Sequence, residues 1–163
     1  MAEFSLNEVI ELAIQIEKSG YTFYDLALQR KNLSEPVRKV IEKLRDEEII
    51  HEATFKNLRT TEDLEVLGDP IDWQDAASYL KAISDSHVFS QPDAAIKLAT
   101  EAADEKEILE NAVQFEKDTL LFFHAIYQKT SNARSKQIIN TIIEEEVTHV
   151  MLLKEHLNRI INK

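Results

Sequence analysis

Four glutamates and two histidines stand at positions where helical periodicity calls for apolar residues: Glu17, Glu48, His51, Glu116, Glu146 and His149. A buried, unpaired carboxylate is costly even after relaxation, and four converging in one core would repel one another strongly. Either their pKa values rise until protons are taken up, or cations supply the missing charge. Two divalent metals balance four carboxylates and leave both histidines neutral, as nitrogen ligands. Glu48 and His51 are three residues apart, as are Glu146 and His149, so each pair shares one helix face and can reach one centre. A lone Glu-x-x-His arises by chance in many helices. Two copies, each matched with a further glutamate on another helix, form a far more specific pattern. The competing account is a set of buried ion pairs, Glu48 with His149 for example, but no seam lysine or arginine is available to neutralise four glutamates.

Four long helical patterns must position these residues. The first opens at Ser5, with Glu8 three residues on as a capping partner, and carries the stripe Leu6, Ile10, Ala13, Glu17, Gly20, Tyr24 and Ala27. The second follows Ser34 and Pro36 with Val37, Ile41, Leu44, Glu48, His51, Phe55 and Leu58. The third starts near Asp104, capped by Glu107, with Leu109, Ala112, Glu116, Thr119, Phe123 and Ile126. The fourth begins around Asn132 and runs through Ile139, Ile142, Glu146, His149, Leu153, His156 and Ile160. Each stripe is the core-facing seam of a helix packed in a bundle. The fold class is therefore all-α, a four-helix bundle in one domain spanning 1–163.

Between the second and third helices, residues 61–103 hold Trp73, Pro70, Pro92 and Gly68. One short helix is expected from Trp73 to Ser84 and another from Pro92, after Ser90 or Gln91. A connection this long inside a compact domain must carry structure or cross the bundle.

The chain also repeats itself. The segment 8–18 aligns without gaps with 107–117, and 45–56 aligns with 143–154. The repeats, about 5–60 and 104–161, superimpose Glu17 on Glu116, Glu48 on Glu146 and His51 on His149. A duplicated helix pair places such residues around a pseudo-two-fold axis.

Composition removes several function classes. A formal charge of −11 disfavours nucleic acid and anionic membrane surfaces as partners. The absence of cysteine excludes disulfides, thiolate zinc sites, iron–sulfur clusters and cysteine nucleophiles. The first residues show no signal-peptide pattern, and no apolar run reaches the roughly 20 residues of a membrane span. A soluble, cytoplasmic protein is the expectation.

On the two Glu-x-x-His pairs and their partner glutamates, the sequence resembles the ferritin-like superfamily, and within it the rubrerythrin-related proteins, over all four long helices. The resemblance implies a ferritin-like bundle with a di-iron centre. Glu17 and Glu116 would be terminal ligands, one to each metal; Glu48 and Glu146 would bridge, and His51 and His149 would cap. It also places Tyr24, seven residues after Glu17, within hydrogen-bonding reach of the site, where the repeat has Phe123. The sequence departs from rubrerythrin proper in three ways. It lacks the cysteine-held rubredoxin domain, it has Thr119 where an extra carboxylate is usual, and its fourth helix carries a clean Glu-x-x-His.

An oxygen-rich site suits iron or manganese better than copper or zinc, and iron is the family's usual metal. The implied activity is an oxidoreductase reducing hydrogen peroxide or dioxygen, with electrons from a separate donor such as a rubredoxin-like protein. The alternatives are an iron-binding or ferroxidase module for iron handling, and a structural metal-binding bundle. A homodimer follows from the resemblance alone, with the Trp73 segment as a contributor. Other residues receive plainer readings: Tyr24 as a packed core residue with a satisfied hydroxyl, His156 as core-edge or surface, His87 and His124 as solvated. Glu47, Glu144 and Glu145 read as a solvated acidic face, and nothing marks Met151 as a ligand.

Overall fold

The computed structural model describes residues 6–62, 93–130 and 132–162, and among them the regular structure is entirely helical. The helices are α1 (Leu6–Leu28), α2 (Glu35–Glu62), α3 (Ala94–Thr100), α4 (Glu105–Lys129) and α5 (Ala133–Ile161). The cap at Ser5, the helix expected from Trp73 to Ser84, and His87 lie outside the described residues.

The helix starts are set by local chemistry. Asp104 accepts a hydrogen bond from the Glu107 amide at 2.9 Å, while the Glu107 carboxylate reaches back to the Ala103 amide at 2.6 Å. That reciprocal capping satisfies two amides that α4 itself leaves unpaired. Asn132 does the same for α5, accepting from the amides of Arg134 and Ser135 at 3.0 Å each. Pro36 lies inside the first turn of α2 rather than before it; a missing N–H costs nothing there. The short helix expected from Pro92 is described from Ala94, behind Asp93.

The short turns joining α1 to α2 and α4 to α5 make two antiparallel hairpins. Contacts of α1 with α4 and of α2 with α5 close the bundle, and α3 lies against α1 and α4. Two arginines fasten the turns. Arg38 donates to the carbonyls of Leu28 (2.7 Å) and Arg30 (2.9 Å), and Arg30 donates to Thr100 O at the end of α3 (3.0 Å).

Two apolar clusters fill the interior. One gathers Ile10, Ile14, Phe55, Phe122, Phe123, Ile126, Ile139 and Ile142. The other gathers Phe23, Tyr24, Ile41, Leu44, Leu109, Leu153 and Leu157. Full burial of each such side chain contributes about 1.5–3 kcal/mol, enough to hold between them a layer that opposes folding. That layer consists of the six charged residues picked out from the sequence.

Candidate metal centre

Each of the four long helices brings its part of the layer inward at mid-length. Glu17 comes from α1, Glu48 and His51 from α2, Glu116 from α4, and Glu146 and His149 from α5. None is more than 2 % exposed. Single oxygens of Glu48, Glu116 and Glu146 and one nitrogen of His149 lie within 4.8 Å of one another. A second group joins Glu17, His51 and Glu146 on the same criterion, so Glu146 serves both.

The two imidazoles face each other with ring centres 5.7 Å apart, and Glu146 lies between them. Its Oε1 is 2.9 Å from His51 Nδ1 and its Oε2 is 2.9 Å from His149 Nδ1. Neither approach has hydrogen-bond alignment. Both Nδ1 atoms and both Glu146 oxygens are buried without a hydrogen-bond partner, as are both oxygens of Glu17, Oε1 of Glu48 and Oε2 of Glu116. Buried polar atoms are normally paired. Lone pairs that crowd together while pointing past one another fit a shared cation, and the oxygen-rich, two-nitrogen donor set suits a hard or borderline divalent metal.

Two residues outside the sequence-derived set orient the histidines. His51 Nε2 donates to Glu145 Oε2 at 2.8 Å, and His149 Nε2 lies 2.9 Å from Glu47 Oε2. Each carboxylate reaches from the opposite Glu-x-x-His helix; Glu145 holds the Nε2 proton of His51, Glu47 stands beside His149 Nε2 without hydrogen-bond alignment, and both leave Nδ1 facing the cluster. Glu144 and Glu145 are exposed as expected and Glu47 is half-buried, but Glu47 and Glu145 each also approach a histidine. The repeat held the signal, because Glu47 aligns with Glu145 just as Glu48 aligns with Glu146.

Tyr24 also does more than pack. Its buried hydroxyl donates a hydrogen bond to Glu116 Oε1, from the first repeat to the second. Phe123, its counterpart, offers no such donor. Thr119 is buried in the layer with its hydroxyl unpartnered. His124 and Met151 are exposed and His156 is half-buried, all away from the cluster.

Electrostatics follow from this crowding. Burial, then the charges of Glu146 and Glu17 respectively, push Glu17 and Glu48 well above the usual carboxylate range. Burial and the Glu146 charge raise Glu116 to about 8, against the opposing pull of His149. Burial also opposes charge on Glu146, but its contacts with both histidines prevail and hold it below the usual range. Burial pulls the histidines down, yet their carboxylate contacts push His51 up to about 9 and His149 up to about 11. Burial and the Glu116 charge raise the Tyr24 phenol well above its usual value. Without metal, protons balance the charge.

No protein-family model matches the chain, and no curated relative matches it. A crystal structure from Thermotoga maritima, described as a "putative ferritin-like diiron-carboxylate protein", superimposes with a TM-score of 0.70. The match covers 97% of each chain at 21% identity. A likeness at that identity is one of fold. Among the described residues no helix is long and apolar enough to cross a membrane.

Proposed function

We propose that this chain, a bundle of the ferritin-like fold, is a di-iron carboxylate oxidoreductase that reduces hydrogen peroxide or dioxygen with electrons from a separate donor. The observation that carries this reading is the buried set of unpartnered ligand atoms on Glu17, Glu48, His51, Glu116, Glu146 and His149. Glu17 and Glu116 would take the terminal roles and His51 and His149 would cap, while Glu146, common to both groups, would bridge; Glu48, expected as a second bridge, lies in only one of the two groups. The description of the Thermotoga maritima protein supports iron as the metal.

Bound iron would supply the one-electron redox chemistry that no side chain of the cluster possesses. The chain's own residues set the conditions. Glu145 and Glu47 fix the imidazoles with Nδ1 toward the centre. Tyr24 holds its proton against Glu116 Oε1, where a reaction consuming protons can draw on it. Phe55, Phe115 and Phe123 of one apolar cluster and Phe23 of the other are fully buried and would keep bulk water from the interior. With no cysteine to hold a second iron centre in these 163 residues, a rubredoxin-like partner is the natural electron source. A cytoplasmic homodimer completes the proposal.

The test is metal analysis of anaerobically purified protein, then Fe²⁺ titration of the apo form and addition of peroxide. Two equivalents per chain and oxidation faster than that of free Fe²⁺ are expected. No binding by a folded protein would overturn the metal centre. Binding without faster oxidation would move the reading to iron handling.

A further inference from the structure

Gly20 lies one turn beyond Glu17 on α1, buried and helical, with no positive φ that would require glycine. What requires it is space. A Cβ at this position would fall 2.8 Å from Glu48 Cδ, closer still to Glu48 Oε2, and 3.1 Å from Phe115 Cε1. The bare backbone forms a notch that receives one oxygen of Glu48. The other oxygen, Oε1, is buried without a hydrogen-bond partner. In the second repeat the equivalent place is filled by Thr119.

The two central glutamates are accordingly held in different ways. Glu146 is pinned at 2.9 Å by a histidine nitrogen on each oxygen, and belongs to both candidate ligand groups. Glu48 leans against α1 and belongs only to the group with Glu116, Glu146 and His149. We propose that Gly20 is a positioning residue for the metal centre, its notch fixing where Glu48 presents its ligand oxygen. This rests on the metal-binding reading above.

The size of the effect follows from geometry. Moving Glu48 Cδ from 2.8 Å to the 3.4 Å of ordinary contact displaces the carboxylate by about 0.6 Å. Metal–ligand distances tolerate about 0.2 Å. Gly20→Ala should therefore weaken the metal position that Glu48 serves, by about the 10–100-fold typical of disturbed ligand positioning. The position formed by Glu17, His51 and Glu146 should keep its affinity. Alanine is also the better helix former, so the variant should melt no lower than the parent as apo-protein.

The experiment is a titration of apo-protein with Co²⁺, followed by visible absorption and calorimetry. Two equivalents in the parent, against one unchanged and one weakened equivalent with an altered spectrum in Gly20→Ala, are expected. Unchanged affinities and spectrum in the variant would overturn the role of Gly20. Fewer than two equivalents in the parent would instead overturn the underlying metal reading. Gly20→Ser, which carries the same Cβ into the notch, should weaken the same equivalent. A Gly20→Ser protein that binds both equivalents as the parent does also overturns the proposal.

Discussion

Loading this centre with metal should expel protons, and the site fixes how many. A coordinating imidazole must be neutral and a coordinating carboxylate charged. At pH 7 the apo-protein is far from that state. With His51 at about 9 and His149 at about 11, about 99 % or more of each ring carries the extra proton. With Glu116 at about 8, about nine-tenths of that carboxyl is neutral. These three groups alone release nearly three protons, and Glu17 and Glu48, both raised well above their usual range, take the number toward five. The overall affinity for two ions should then rise at least roughly a thousandfold per pH unit near pH 7. Calorimetric titration of apo-protein with Mn²⁺ in two buffers of different ionisation enthalpy reads the proton count directly. Release of fewer than one proton per chain would refute the charge balance drawn here. The same shifts govern the apo fold. Groups with raised folded pKa values stabilise it fully below their unfolded values, near 6.5 for the histidines, and that stability is lost as pH rises through about 9 to 11. Glu146, held low, acts oppositely and costs stability only in acid. Apo-protein should melt lower at pH 10 than at pH 6.5, and bound metal should remove the difference.

Three substitutions probe the surroundings of the ligands. Tyr24→Phe removes the donor to Glu116, a carboxyl mostly neutral in apo-protein, and should lower apo stability by about 0.5–1.5 kcal/mol; an unchanged urea midpoint would show that the contact is idle. Glu145→Ala and Glu47→Ala each strip one imidazole of its Nε2 partner, and each should weaken metal binding about 10–100-fold by calorimetry. Phe55→Ala opens a cavity beside Phe123, whose ring centre is 5.0 Å away, and should cost about 3–5 kcal/mol in denaturant while leaving metal stoichiometry intact.

Much of this arrangement is legible in the sequence because the seams are regular. From Ile10 to Ala27, Val37 to Leu58 and Leu109 to Ile126, the stripe residues read from periodicity are buried in the structure. The six candidate ligands stand out because a charged residue inside an apolar seam breaks a strong pattern. Glu47 and Glu145 break none. They lie beside the seam, where an acidic residue is ordinary, and only their reach across to the opposite histidine reveals a role. The Tyr24 contact is within the hydrogen-bonding reach that the family resemblance implies, but the seam alone reads as packing because the partner sits on a helix 92 residues away. Gly20 reads as a small seam residue; its use appears only when the position of the Glu48 carboxylate is known.

Duplication of a helix pair does not by itself produce a symmetric centre. The repeats agree on α2 and α5, where each ligating turn supplies Glu, Glu and His at the same spacing. They disagree on α1 and α4, which supply one glutamate each. There Gly20 stands opposite Thr119 and Tyr24 opposite Phe123. Both differences act on the carboxylates: a notch draws Glu48 toward α1, and a phenol holds Glu116 by a hydrogen bond that Glu17 lacks. Both also affect the same group, since Glu48 and Glu116 lie together with Glu146 and His149. One of the two candidate ligand groups is thus flanked by a proton donor and includes a carboxylate set back into a notch. The other has Glu17 with both oxygens unpartnered, beside His51 and the shared Glu146. Two positions built from the same residue types but supported so differently will not bind or release an ion with equal ease, and the inequality originates in the helices that contribute fewest ligands.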